Sequence, residues 1–451
     1  MLTLLAHAAP ISYKFPLPIW LYVLAGGGAV LLSAPAAALA VSDAPMEERA
    51  GRDLYGAARG LRLGPILVAI GTILIAFGLV GGLFSTTEQS TEFFENPMTL
   101  LTWVDFWVGL GIVSWLVGNV WERVSPLNVA ARALDRLLAR NGVEPLAYPA
   151  GLGQWPAVTL LLIWSWMELI WGPAKEPRTL ALLMLGYALA TLAGSAVFGA
   201  EAWLGNVELF SVFARTLSRF SPLELRPFVP EVWASTAPEE RSARLRGYGA
   251  GLRTDPPLAA GGGAFVLAAL ATVVFDGWSQ TDRFGSFQQW FYDRWSFLSA
   301  HTDVLQTLSM VAVVAVFVAA YLAITRRNAR VLAPTLIPIA AVYFTAHYFA
   351  YLLIAGEDTP AVLVDPFGHS WNPLGWGEYG LWKGIAPAAV VWLLQVLLIV
   401  WGHVAAVFAA HRLALRGHTR ARAMLAQAPL VALMVAYTVA GLWVLAQQLK
   451  A

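Results

Sequence analysis

Ten apolar runs of about 20 residues, nearly free of charge, constrain this chain more than any other feature. They fall roughly at 18–41, 63–84, 98–119, 156–172, 179–201, 258–276, 303–325, 333–355, 386–410 and 426–448. A hydrocarbon core of about 30 Å takes about 20 helical residues to cross. The expected fold class is therefore all-α, a polytopic integral membrane protein with about ten transmembrane helices in a single helical domain over 1–451. The fourth and fifth runs are separated only by GPAKEPR, the spacing of a tight helical hairpin. Only 13% of the residues are charged, against about 25% in a soluble domain.

Charge then sets the orientation. Of the 29 Lys and Arg residues, 22 lie in the odd-numbered connections and 7 elsewhere. Basic residues flanking spans stay on the cytoplasmic side, so both termini are expected outside, in a multi-pass protein of the inner (cytoplasmic) membrane. The bilayer is the first expected partner, and a net charge of +1 gives no sign of nucleic acid. Tryptophans near the ends of the runs, among them Trp20, Trp103, Trp155, Trp171 and Trp278, suit interfacial belts. The opening MLTLLAHAAPISYKFPLP has no basic leader or long apolar region and does not read as a signal peptide. With no cysteine there are no disulfides, thiolate metal sites or cysteine nucleophiles, so a metal would need His, Asp, Glu, Met or Tyr.

Three connections stand out. The cytoplasmic one, about 202–257, opens with WLGNVELFSVFARTLSRFSP, in which Leu209, Val212, Phe213, Leu217 and Phe220 recur at helical spacing opposite Arg215 and Arg219. That pattern predicts an interfacial amphipathic helix. On the outer side, DRFGSFQQWFYDRWSFL (282–298) predicts a second surface helix, and the Gly-, Pro- and Trp-rich loop at about 356–385 is a candidate lid. No internal repeat is visible, nor the matched pair of broken helices expected of an inverted-repeat transporter.

Ionisable groups at membrane depth are costly and are functional candidates by default. From the rise of about 1.5 Å per residue, His347 lies about 12 Å and Asp105 about 10 Å below the outer surface. Glu168 lies about 6 Å below it, and Asp276 closes the sixth run on the same side. His7 and the lid residue His369 reach that zone from outside. Asp105, Asp276 and His347 are the candidate catalytic groups. His7, Asp105, Glu168, Asp276 and His347 form a candidate ligand set for a divalent metal, zinc or copper. The same residues also fit a neutral histidine hydrogen-bonded between helices, a haem or other cofactor ligand, and solvated or helix-capping carboxylates at Glu168 and Asp276. Tyr343, Tyr348 and Tyr351 fit an aromatic belt. In the inner leaflet, His403 and His411 are eight residues apart, about 12 Å along and about 80° around one helix, and cannot share a metal. Hydrogen-bonded packing is expected for both, with His411 snorkelling toward the cytoplasm. Glu201 and Glu208 are expected to pair with arginines of the same connection, and Asn119 to end the third helix.

Five segments, VGNVWERVSPLNVAARALD, GAEAWLGNVELFSV, ATVVFDGWSQ, TAHYFAYLLI and GHVAAVFAAHRLAL, together with the amino-terminal AHAAPISYKFPLPIWLYV, carry a further resemblance. In them the chain resembles, from residue 7 to about 447, a family of bacterial multi-span proteins commonly labelled fenitrothion hydrolase. The resemblance implies a membrane-bound hydrolase of phosphotriesters. The chain departs from the family pattern over FGHSWNPLGWGEYG, so no role carries over to His369.

Three functions follow from the sequence. One is a metal-assisted organophosphate triesterase, acting on a hydrophobic small molecule that reaches an outward-facing site through the bilayer. Another is a carrier of an ion or small solute in which Asp105 and His347 form a protonatable relay. The third is a non-catalytic metal- or haem-binding subunit with a membrane redox partner.

Overall fold

A computed structural model describes residues 18–41, 52–53, 63–84, 95–226, 242–375, 387–415 and 419–448. In chain order the principal helices are α1 (Ile19–Ala40), α2 (Leu63–Phe84), α3 (Pro97–Leu116), α4 (Pro126–Arg140), α5 (Trp155–Leu169), α6 (Pro177–Phe198), α7 (Ala200–Asn206) and α8 (Leu209–Leu217). They continue with α9 (Gly262–Ser279), α10 (Asp282–Arg294), α11 (Thr302–Thr325), α12 (Ile337–Ala355), α13 (Thr359–Val364), α14 (Ala388–Ala414) and α15 (Arg420–Gln448). Among the described residues nine helices are long and apolar enough to cross a membrane, and α5 is a shorter apolar tenth. The fold is an all-α, polytopic membrane protein, and every expected run falls on one of these helices.

Two compact units share the chain. The second, 48–262 with 354–383, holds α2 to α8 and α13. A small antiparallel sheet lies within it, ordered β1 (Arg52–Asp53), β3 (Ser242–Leu245), β2 (Leu223–Arg226), with Asp53 opposite Arg244 and Glu224 opposite Arg244. It joins the connection after α1 to the one after α8, so the two emerge on one side. That requires an even number of crossings between them. Helices α2, α3 and α6 supply three, and α5 must supply the fourth, although 15 residues rise only about 22 Å. The 3₁₀ turn Gly172–Lys175 extends it, and the Trp103 indole donates to the Ala174 carbonyl there at 3.3 Å. Both sheet-forming connections are arginine-rich, as the positive-inside assignment requires.

The expected interfacial helix is not at an interface. Gly199, at φ +82°, breaks α6 from α7, and after α7 the chain turns into α8, whose Leu209, Val212, Phe213 and Leu217 are all buried. The Phe210 ring packs against Trp107, Trp164 and Tyr187, residues near the middles of α3, α5 and α6. The chain thus re-enters the unit as a half-span helix, which is tolerated at membrane depth where protein covers it. Helical periodicity marks an apolar face in either setting. The remaining face decides, and here it is small residues with one arginine that finds Glu122. The predicted outer helix does form, as α10, with Arg294 over the Trp290 ring at 4.2 Å.

The first unit, 1–47, 263–353 and 384–451, contains α1, α9 to α11, most of α12, α14 and α15. Helix α1 packs along α14 and α15.

Candidate functional site

In the first unit the opening candidates meet. His347 Nε2 lies 2.7 Å from Asp276 Oδ2, linking α12 to α9, and both side chains are buried. Gln280, one turn beyond Asp276, donates from Nε2 to Oδ1 at 3.1 Å, so each carboxylate oxygen has its own partner. Asp276 is not an interfacial cap: it sits inside the last turn of α9, fully enclosed. Tyr348 stands edge-on to the imidazole at 4.8 Å and Tyr343 lies 6.5 Å away, so these tyrosines wall the pair rather than form a belt. Gly277 packs closely here: a Cβ would crowd a Val444 methyl of α15 and lie 3.6 Å from His347 Cε1. The amide of Gln395 on α14 donates to the carbonyl of Ala346, the residue before His347, at 2.8 Å. A carboxylate bonded to one imidazole nitrogen fixes the ring and shares a proton with it.

The other expected members of the set are placed differently. Asp105 belongs to the second unit and accepts from the Thr359 hydroxyl at the start of α13, at 2.9 Å. It occupies a π-helical stretch, Leu100–Phe106, inside α3. Glu168 is buried in the last turn of α5, also in the second unit. His7 and the segment 376–386 of the lid lie outside the described residues. The described part of the lid holds exposed His369, whose backbone N–H donates to Asp365 at 2.8 Å. Among the described residues no group of three or more His, Asp or Glu side chains is gathered to hold a metal ion. Of the five expected ligands, Asp276 and His347 are in direct contact with each other.

Other buried polar groups follow the same local logic. His411 is fully buried rather than snorkelling, with Nδ1 2.9 Å from Gln427 Nε2. His403 bonds through Nδ1 to the Ile399 carbonyl at 2.8 Å. In the second unit Glu208 pairs with no arginine among the described residues. It caps α8, accepting from the N–H groups of Phe210 and Ser211 at 3.1 and 2.7 Å, and takes the Tyr187 hydroxyl. Asn119 lies beyond the end of α3 and donates to Glu122 at 2.7 Å. Glu122 is buried and accepts from Arg215 at 2.8 Å and Arg132 at 3.3 Å. Nearby, Arg219 donates to the Pro256 carbonyl at 2.6 Å. Burial lowers its guanidinium pKa, Asp255 opposes that, and the like charges of Arg215 and Arg246 add to it.

The sequence carried signs of some of these partners. Asp276 and Gln280 stand at i and i+4 in FDGWSQ, the spacing of neighbours on a helix. Nothing linear points from Asp105 to Thr359, 254 residues away. Comparison with family models, with curated proteins and with solved structures returns no match.

Proposed function

We propose that this multi-pass protein is a carrier of protons across the cytoplasmic membrane, with the Asp276–His347 pair as its proton-binding group. One observation carries the proposal: a carboxylate and an imidazole from two different spans meet at 2.7 Å in a buried setting. An ionisable pair at that depth is costly, and such pairs mark proton relays in membrane proteins. The π-helical stretch of α3 and the half-span α8 add irregular elements of the kind found at functional sites in membrane helices. In liposomes with a trapped pH dye, a potassium diffusion potential set by valinomycin should drive proton entry through the wild-type protein. Asp276→Asn should abolish it. Entry no faster than in protein-free liposomes, or an unaffected Asp276→Asn, refutes the carrier.

The same contact favours a second reading, in which the carboxylate orients His347 so that Nδ1 serves as a general base on water attacking an apolar phosphotriester. Fenitrothion hydrolysis by the purified protein, lost in His347→Ala and insensitive to chelator, would support it. Loss on chelation together with stoichiometric bound metal would return the metal-assisted form, with His7 as the ligand to test first.

A further inference from the structure

We propose that His403 is a second proton-carrying imidazole, on a water-linked path that runs along α14 from the Asp276–His347 pair toward the cytoplasmic end of the first unit. The inference rests on the carrier function above and supplies its route.

Three polar side chains recur on α14 at eight-residue intervals: Gln395, His403 and His411. Each interval is about 12 Å of rise and about 80° of turn, so they are stations on a route that winds along α14 rather than one cluster. Their exposures are 2%, 1% and 0%, in a helix whose other residues between them are apolar or glycine. Gln395 begins the series beside the pair, with Nε2 on the Ala346 carbonyl, while its Oε1 is buried with no partner among the described residues. His403 spends Nδ1 on Ile399, and its Nε2 is likewise buried without a partner among the described residues. At the inner station Gln427 bonds His411 through Nε2, and its Oε1 is again without a partner there.

Buried polar atoms are nearly always hydrogen-bonded, and bound water is the usual supplier where protein is not. An amide oxygen, a ring nitrogen and a second amide oxygen, set at successive depths, are the anchors an internal water chain needs. Helix packing alone calls for no imidazole at 403, where an apolar residue would leave no polar atom to satisfy. With Nδ1–H donated to Ile399, the neutral ring presents Nε2 as an acceptor. His403 takes a proton at Nε2 from the water on the outer side, becomes imidazolium with Nδ1–H kept on Ile399, and releases the proton from Nε2 to the water on the inner side. No bond other than N–H and O–H is made or broken.

The proteoliposome dye assay tests this with His403→Gln, Gln395→Leu and Asp276→Asn beside wild type. His403→Gln should slow proton entry at least tenfold and Gln395→Leu several-fold. Unchanged entry in His403→Gln with entry lost in Asp276→Asn overturns the path and leaves the pair standing, whereas unchanged entry in Asp276→Asn overturns the carrier itself. Should His403→Gln fail to fold, deuterium exchange at the imidazole C2 position, followed by mass spectrometry on the wild type, decides the matter. A half-life for His403 within about tenfold of that of exposed His369 fits a hydrated path, and full protection of His403 overturns it.

Discussion

Asp276 and Asp105 are both carboxylates inside spans, both near the expected outer surface, yet the two units have answered the same physical problem differently. Asp276 meets an imidazole and an amide, and is sealed from its surroundings. Asp105 meets one hydroxyl, keeps partial exposure, and sits where α3 is wound as a π-helix. An imidazole can take the proton that the carboxylate gives up, whereas a threonine hydroxyl can only donate a hydrogen bond to it. On the proposed function, the difference makes one site an exchanger of protons and the other a tether between α3 and α13. Glu122 is a third solution, a buried carboxylate held by two guanidinium groups.

Breaking one partner at a time separates these roles. Asp276→Ala leaves a buried imidazole facing nothing, and His347→Ala leaves a buried carboxylate. Removing one member of a buried ionic pair costs about 3 to 5 kcal/mol, so each variant should unfold at much lower denaturant in detergent and conduct no protons. The double variant Asp276→Asn with His347→Gln should recover most of that stability and none of the conduction. Recovery of both would mean that the pair is only structural. Glu122→Gln comes next, at about 3 kcal/mol, because Arg132 and Arg215 lose their shared carboxylate. Proton conduction per folded molecule should survive it, which a chemical unfolding curve paired with the dye assay checks.

Much of the architecture was legible because the bilayer imposes one length on every span, and the runs at 63–84 and 303–325 match α2 and α11 almost to the residue. Two kinds of information were not local. Apolar periodicity located α8 but could not say what would cover its other face, since that depends on Trp107, Trp164 and Tyr187 from three other helices. Depth placed Asp105, Asp276 and His347 in one leaflet, yet it is the rotation of each helix that chooses partners. So Asp276, one of several candidates, met His347, while Asp105, the carboxylate first paired with His347 in a relay, met Thr359, which no spacing announces.

A finer change tests whether geometry or mere proximity makes Asp276 different. Gly277→Ala adds one methyl group beside the pair, against Val444 and within reach of the His347 ring, while every titratable group is retained. Overpacking of this kind costs about 1 to 3 kcal/mol. Conduction should fall by more than the folded fraction does, because Val444 must give way and the packing around the His347 ring is disturbed. A fall that matches the loss of folded protein would show that the pair tolerates displacement.

The smallest effect is expected at the tether, and it bears most directly on the contrast between the units. Thr359→Val and Asp105→Asn each weaken one hydrogen bond to a partly exposed carboxylate, so each should cost about 1 kcal/mol. If the two groups act only on each other, the double variant should cost little more than either single, giving a coupling of about 1 kcal/mol in a double-mutant cycle read from unfolding midpoints. Proton conduction should stay within about twofold of wild type in Thr359→Val, which removes the hydroxyl and leaves the carboxylate in place. If instead Asp105→Asn silences conduction as completely as Asp276→Asn while Thr359→Val does not, the Asp105 carboxylate itself carries protons and is more than a tether.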